Sequence, residues 1–159
     1  MNAHSVPMTA SAVMNTQPVV LKETDTVAVA ASHIMQRRYR NLQVVDGEGR
    51  HLGAFGIGCL LRLSLPRAVT LEHGLESAPY VSDTLEQMSA RLKAVAGDPV
   101  SKYMDTTVRV VHPDTLLMET LLILYQTRSS LAVVDRGSRR LLGVISYWEV
   151  LRKVAGGLC

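Results

Sequence analysis

Apolar and polar positions along this chain fall into two blocks with the same order of periodicities. Residues Thr24 to Leu63 and Pro113 to Val154 each begin with Asp-Thr or its neighbour and continue through a helical-period stretch. Those stretches predict helices over Val27 to Arg38 and Leu116 to Thr127, each opened by the Asp-Thr pair as a capping signal. The runs LQVVD and LAVVD follow, and their valine pairs suit buried strands. A polar, Gly-containing turn then leads to a second strand, HLGAFG or LLGVIS, as in a hairpin. Each block closes on an apolar helix, Gly58 to Leu65 or Tyr147 to Val154. An extended apolar stretch, Pro18 to Leu21 or Val108 to Val111, precedes each block. Asp25 pairs with Asp114 and Asp46 with Asp135, both 89 positions apart, and Gly53 pairs with Gly143 at 90.

The order is β-α-β-β-α, twice, which places the chain in the mixed α/β (α+β) class. Neither block alone can bury both faces of a three-stranded sheet with only two helices, so the copies are expected to pack sheet to sheet. The repeats are bounded at 8–63 and 100–156. An insert, 64–99, lies between them, and its second half reads as a helix with Leu85, Met88, Leu92 and Val95 on one face. Asp83 and Glu86 have the spacing of a capping box, and Gly97 with Asp98-Pro99 ends the segment. This helix is expected to cover apolar surface without a chemical role.

Composition narrows the function more than it defines it. A chain of 159 residues, 47% hydrophobic and 19% charged, is globular and suits one or two small domains. The richest apolar run, Leu116 to Tyr125, is too short to span a bilayer and is interrupted by Glu119. The N-terminus has neither the basic region nor the apolar run of a cleaved signal, so a cytoplasmic location is expected. Two cysteines, Cys59 and Cys159, make no disulfide framework. Histidines 4, 33, 51, 73 and 112 lack metal-ligand spacing. A formal charge of +3, dispersed apart from Arg37, Arg38 and Arg40, does not require nucleic acid, and no aromatic platform accompanies it.

The openings VMNTQPVVLKETDTV and YMDTTVRVVHPDTL, the VVD ends at Asp46 and Asp135, and the Gly53 and Gly143 strands running into helices together resemble the CBS-domain family. The resemblance implies a pseudo-twofold pair with two clefts between facing sheets, frequent assembly into dimers, and binding of AMP, ADP, ATP or S-adenosylmethionine as a regulatory ligand. It also implies a site pattern, Gly-h-h-Ser/Thr-x-x-Asp, in which a hydroxyl and helix amides receive phosphate and a carboxylate receives ribose. Gly143, Ser146 and Glu149 match it, with glutamate in place of aspartate. The same Ser146 and Glu149 also have the spacing of a plain capping box. By the same resemblance Thr106, Thr107 and Val108 would lie against adenine, and Arg40, Asn41, Ser129 and Ser130 would reach the phosphates. The first copy has Gly56 and Cys59 at the hydroxyl and carboxylate positions, so the cleft expected to contain Thr16, Gln17 and Pro18 is degenerate for ribose.

Two function classes remain in view. One is a nucleotide-sensing regulatory module that signals to an effector protein in trans; the other is a ligand-free dimerisation or interaction module. No nucleophile and base pairing, metal spacing or Gly-rich phosphate loop supports an enzyme, and no cofactor is called for. A homodimer is expected from the apolar closing helices, with Leu60, Leu61 and Leu63 in one and Val150, Leu151 and Val154 in the other.

Overall fold

The computed structural model describes residues 6–71 and 74–158. His4, His73 and Cys159 lie outside them. The first repeat folds as β1 (Leu21–Lys22), α1 (Val27–Arg37), β2 (Asn41–Val45), β3 (His51–Gly56) and α2 (Ile57–Ser64). A short α3 (Gly74–Ser77) and α4 (Leu85–Ala94) form the insert. The second repeat follows as β4 (Val110–Val111), α5 (Leu117–Thr127), β5 (Leu131–Val134), β6 (Leu141–Ile145) and α6 (Tyr147–Ala155). Each repeat carries a three-stranded sheet with β2 or β5 in the centre, a parallel partner on one side and an antiparallel hairpin partner on the other. Among the described residues, no helix is long and apolar enough to cross a membrane.

The central strands explain why the repeats need each other. Leu42 to Val45 and Leu131 to Val134 are buried at every position, although successive side chains point to opposite faces. Leu42 and Val44 enter the core with α1 and α2, and Leu131 and Val133 enter the equivalent core of the second repeat. The alternate residues, Gln43, Val45, Ala132 and Val134, are therefore covered from the other side, by the facing repeat. The Gln43 amide donates to the Ser130 carbonyl at 3.4 Å and accepts from the His51 ring at 2.7 Å. The two hairpin turns also meet, with His51 N–H donating to the Arg139 carbonyl at 3.0 Å and Leu141 N–H to the Gly49 carbonyl at 3.0 Å.

The helices correct the sequence register. Thr26 caps α1, its hydroxyl accepting from Val29 N–H at 3.2 Å, whereas Leu116 stands at the start of α5 with no side-chain cap. Helices α1 and α5 are thus related by 90 positions, not the 89 inferred from Asp25 and Asp114. Thr115, not Asp114, takes the place of Asp25: Asp25 accepts from Lys22 N–H and Thr115 from His112 N–H. The offset returns to 89 at the central strands because one more residue separates Arg38 from Leu42 than Arg128 from Leu131. In the insert, the capping box is Thr84 with Gln87 rather than Asp83 with Glu86. Asp83 instead pairs with Arg91, whose guanidinium also donates to the Ser64 carbonyl at 3.0 Å. Leu92 and Val95 pack on the first core beside α2, while Leu85, expected on that face, is exposed.

The segments that open the repeats are exchanged. Ala10 and Val13 are buried in the core of the second repeat, and Val100 is buried in the core of the first. Met8 carbonyl accepts from Leu117 N–H at 2.9 Å, which satisfies the start of α5 where no side chain does; Asp98 carbonyl does the same for Val27 on α1 at 2.9 Å. Farther on, Asn15 and Val144 exchange two backbone hydrogen bonds, as do Asp105 and Ala54. Both crossings run over a glycine. A Cβ on Gly143 would stand 2.8 Å from the Asn15 carbonyl oxygen, and one on Gly53 would stand 2.4 Å from that of Asp105.

Gly53→Ala is therefore expected to destabilise the protein by about 1–3 kcal/mol, and by more than Gly143→Ala, because its first obstacle is closer and its second is backbone where that of Gly143 is the flexible Met14 side chain. Denaturant titration of both variants checks the order, and equal midpoints would contradict it. His51 gives a second expectation. Burial pushes its pKa below the ordinary 6.5, the Arg139 charge acts in the same direction, and a hydrogen bond with the Gly53 backbone opposes them. The folded chain thus binds fewer protons than the unfolded one, so this contribution to stability is complete above pH 6.5 and declines as pH falls below it. Between about pH 7.5 and pH 5.5 the melting temperature should drop, and His51→Gln should flatten that drop. The carboxylates whose pKa values are lowered, Asp46, Asp105 and Asp135, titrate below 3.8 and act outside this window.

Candidate functional site

Two clefts lie where the repeats meet. The first, about 390 Å³, opens at the start of α6 and faces the end of α1. Ser146 begins α6 with its hydroxyl accepting from Glu149 N–H at 3.2 Å. The reciprocal half of a capping box, present at Thr84 and Gln87, does not form here, so among the described residues the Glu149 carboxylate is held only by Arg152, loosely, at 3.8 Å. Arg37, Arg38 and Arg40 enter from the end of α1, and Arg152 from α6. Four arginines and one glutamate thus line a concave site where Pro18, Val19, Tyr39 and Trp148 add apolar surface. Such a cleft favours an anionic ligand with a flat apolar part.

Arg38 has φ 55°, in the left-handed region that a non-glycine side chain adopts at some cost. That turn ends α1 and aims the following residues into the cleft. Asn41, the first residue of β2, borders both clefts, and its side-chain oxygen is buried with no hydrogen-bond partner among the described residues. A buried acceptor left unpaired costs free energy, so this oxygen is a local weak point between the two clefts.

The second cleft, about 440 Å³, opens at the start of α2. Gly56 and Cys59 line it, together with Arg40, Arg62, Arg128, Asp105, Val108 and Ser129. The Asp105 carboxylate is engaged by the hydroxyl and backbone N–H of Thr107, which hold its pKa below the usual carboxylate range.

The exchange of opening segments corrects how the sequence grouped these residues. Val108, expected beside Ser146 and Glu149, borders the α2 cleft with Gly56 and Cys59, while Pro18, expected in that cleft, borders the α6 cleft. Thr106, Thr107, Thr16 and Gln17 are exposed and line neither. Gly143 lies beneath Met14 and Asn15 rather than on the cleft wall, so its role is to admit the crossing chain. Arg40, Asn41, Ser129, Ser130, Ser146 and Glu149 do come together in the α6 cleft. The sequence reading missed Arg152, Trp148 and Tyr39 there. A helical i, i+3 relation to Glu149 could have signalled Arg152; nothing local signals the other two.

A family model for the CBS domain matches the chain twice, over residues 10–65 and 100–156. No match was found among curated proteins. Among solved structures, the chain is similar to the CBS-pair protein CBSX2 from Arabidopsis thaliana, at 19% identity and TM-score 0.72, covering 96% of this chain and 98% of that one. A structure of CBSX2 in complex with AMP is similar at 19% identity and TM-score 0.68, covering 96% and 99%. A CBS domain-containing protein from Kribbella flavida aligns at 22% identity and TM-score 0.63, over 93% and 99%. Likeness at this identity concerns the fold, and the fold agrees with the family model: two copies of one β-α-β-β-α unit, each completed by the other's opening segment. The chain belongs to the CBS-domain family, as a tandem pair.

Proposed function

We propose that this CBS pair is a regulatory module that binds an adenosine nucleotide in the α6 cleft and passes the bound state to an effector protein in trans. The observation that carries the reading is the meeting of Arg37, Arg38, Arg40 and Arg152 around the Ser146 and Glu149 helix start. In this reading the guanidiniums receive the phosphates, and the Glu149 carboxylate, not committed to the helix cap, accepts from the ribose hydroxyls. Pro18, Val19 and Trp148 offer apolar cover to the base. A structure of CBSX2 with AMP, similar in fold, supports an adenosine ligand. Four cations favour AMP, ADP or ATP over S-adenosylmethionine, which carries a positive sulfonium. The module catalyses nothing in this reading and requires no cofactor; its place is the cytoplasm.

Ligand at a hundred times its dissociation constant should add about 2.7 kcal/mol of stability, a rise in melting temperature of several degrees. Glu149→Gln should remove most of that rise for AMP while leaving the free protein nearly unchanged, because the cap uses the Ser146 hydroxyl and the backbone N–H of residue 149. A parent protein indifferent to every adenosine ligand would overturn the nucleotide reading.

A second reading, association between copies, rests on α6. The insert helix α4 packs beside α2, but nothing among the described residues plays that part for α6, where Trp148, Leu151 and Val154 are 70%, 46% and 75% exposed. We infer a homodimer that covers this face. Leu60 is buried in its own core and Leu63 packs against it, so of the leucines expected at the interface from α2 only Leu61 is exposed. Light scattering should give twice the chain mass for the parent and a smaller mass for Trp148→Glu; a monomeric parent at micromolar concentration would contradict it.

A further inference from the structure

The α2 cleft has lost the hydroxyl and the carboxylate that the family pattern places at Gly56 and Cys59, yet it has not lost charge. Arg40, Arg62 and Arg128 all border it, from the stretch before β2, from α2 and from the end of α5. Arg62 spends one N–H on the Tyr103 carbonyl at 2.8 Å. Among the described residues, the guanidiniums of Arg40 and Arg128 have no hydrogen-bond or ion-pair partner. The one carboxylate in the wall, Asp105, accepts from Thr107 and stays ionised, so three cations stand against one anion. Arg128 holds its position at φ 57°, where glycine would be less strained. Asn41, whose buried side-chain oxygen has no hydrogen-bond partner among the described residues, borders the same cleft.

We propose that the α2 cleft binds a small phosphate anion without ribose, of the class of inorganic phosphate or pyrophosphate. Three guanidiniums in a concave site supply forked, charge-assisted donors for such an anion. Nothing at Cys59 can accept from ribose, so a nucleoside gains little over the bare anion here. Arg128 belongs to this cleft alone, Arg40 to both, and Glu149 to the other alone, which allows the two ligands to be separated.

The test is calorimetric titration of the whole chain with inorganic phosphate, pyrophosphate and AMP, using the parent, Arg128→Gly and Glu149→Gln. Glycine suits the backbone at position 128, so this variant should melt no lower than the parent while its affinity for pyrophosphate falls at least tenfold. Its AMP affinity should not change. Glu149→Gln should do the reverse, weakening AMP and sparing pyrophosphate. Pyrophosphate that fails to bind the parent, or binds Arg128→Gly as tightly, overturns the proposal. Pyrophosphate binding that depends on Arg128 in a protein indifferent to AMP would uphold it while the nucleotide reading fails.

Discussion

The structure depends on two places where one repeat's opening segment crosses the other repeat's last strand at backbone distance. Asn15 and Val144 exchange hydrogen bonds at 2.8 and 3.0 Å, and Asp105 and Ala54 at 2.8 and 2.9 Å. The crossings need glycine at 143 and 53, since any side chain there would meet a carbonyl oxygen. They also carry Ala10, Val13 and Val100 into cores that would otherwise be incomplete, and they supply the carbonyls that satisfy the first amides of α1 and α5. Neither repeat closes its own core, so the pair is the folding unit. The two clefts lie where the crossings leave the sheets apart.

That same exchange sets the chemistry of each cleft. Residues after the crossing, Pro18 and Val19 on one side and Val108 on the other, face the helix start of the opposite repeat. The α6 cleft consequently combines Ser146 and Glu149 with the arginines at the end of α1, and the α2 cleft combines Gly56 and Cys59 with Arg128 at the end of α5. Two clefts built on one plan have diverged through a few side chains: Ser146 and Glu149 stand at the start of α6 where Gly56 and Cys59 stand at the start of α2.

Much of the fold was legible in the sequence, because a whole β-α-β-β-α pattern written twice fixes element order and leaves each sheet with an uncovered face. The valine pairs before Asp46 and Asp135 located the central strands for the same reason. The register of α1 against α5 was not legible, since Asp25 and Asp114 align by identity while the helix starts align Thr26 with Leu116. Leu116 needs no capping side chain once the Met8 carbonyl is there. The site was half legible: Ser146, Glu149, Arg40 and Asn41 follow from the resemblance to the CBS-domain family. Their pairing with Pro18 instead of Val108 follows from the crossing, a contact between positions far apart in sequence that no local periodicity encodes. Gly143 was read as part of the ligand pattern when its constraint is the passage of Asn15.

The exchange itself can be measured by native-state hydrogen exchange on two cavity variants, Val13→Ala and Val100→Ala. Each removes apolar volume from one core at a cost of about 1–3 kcal/mol. The crossing predicts that Val13→Ala lowers protection mainly in α5, β5 and β6, and Val100→Ala mainly in α1, β2 and β3, each variant weakening the repeat it does not precede in sequence as a continuous unit. Loss of protection in the opposite order, with Val13→Ala loosening α1 to β3 and Val100→Ala loosening α5 to β6, would contradict it.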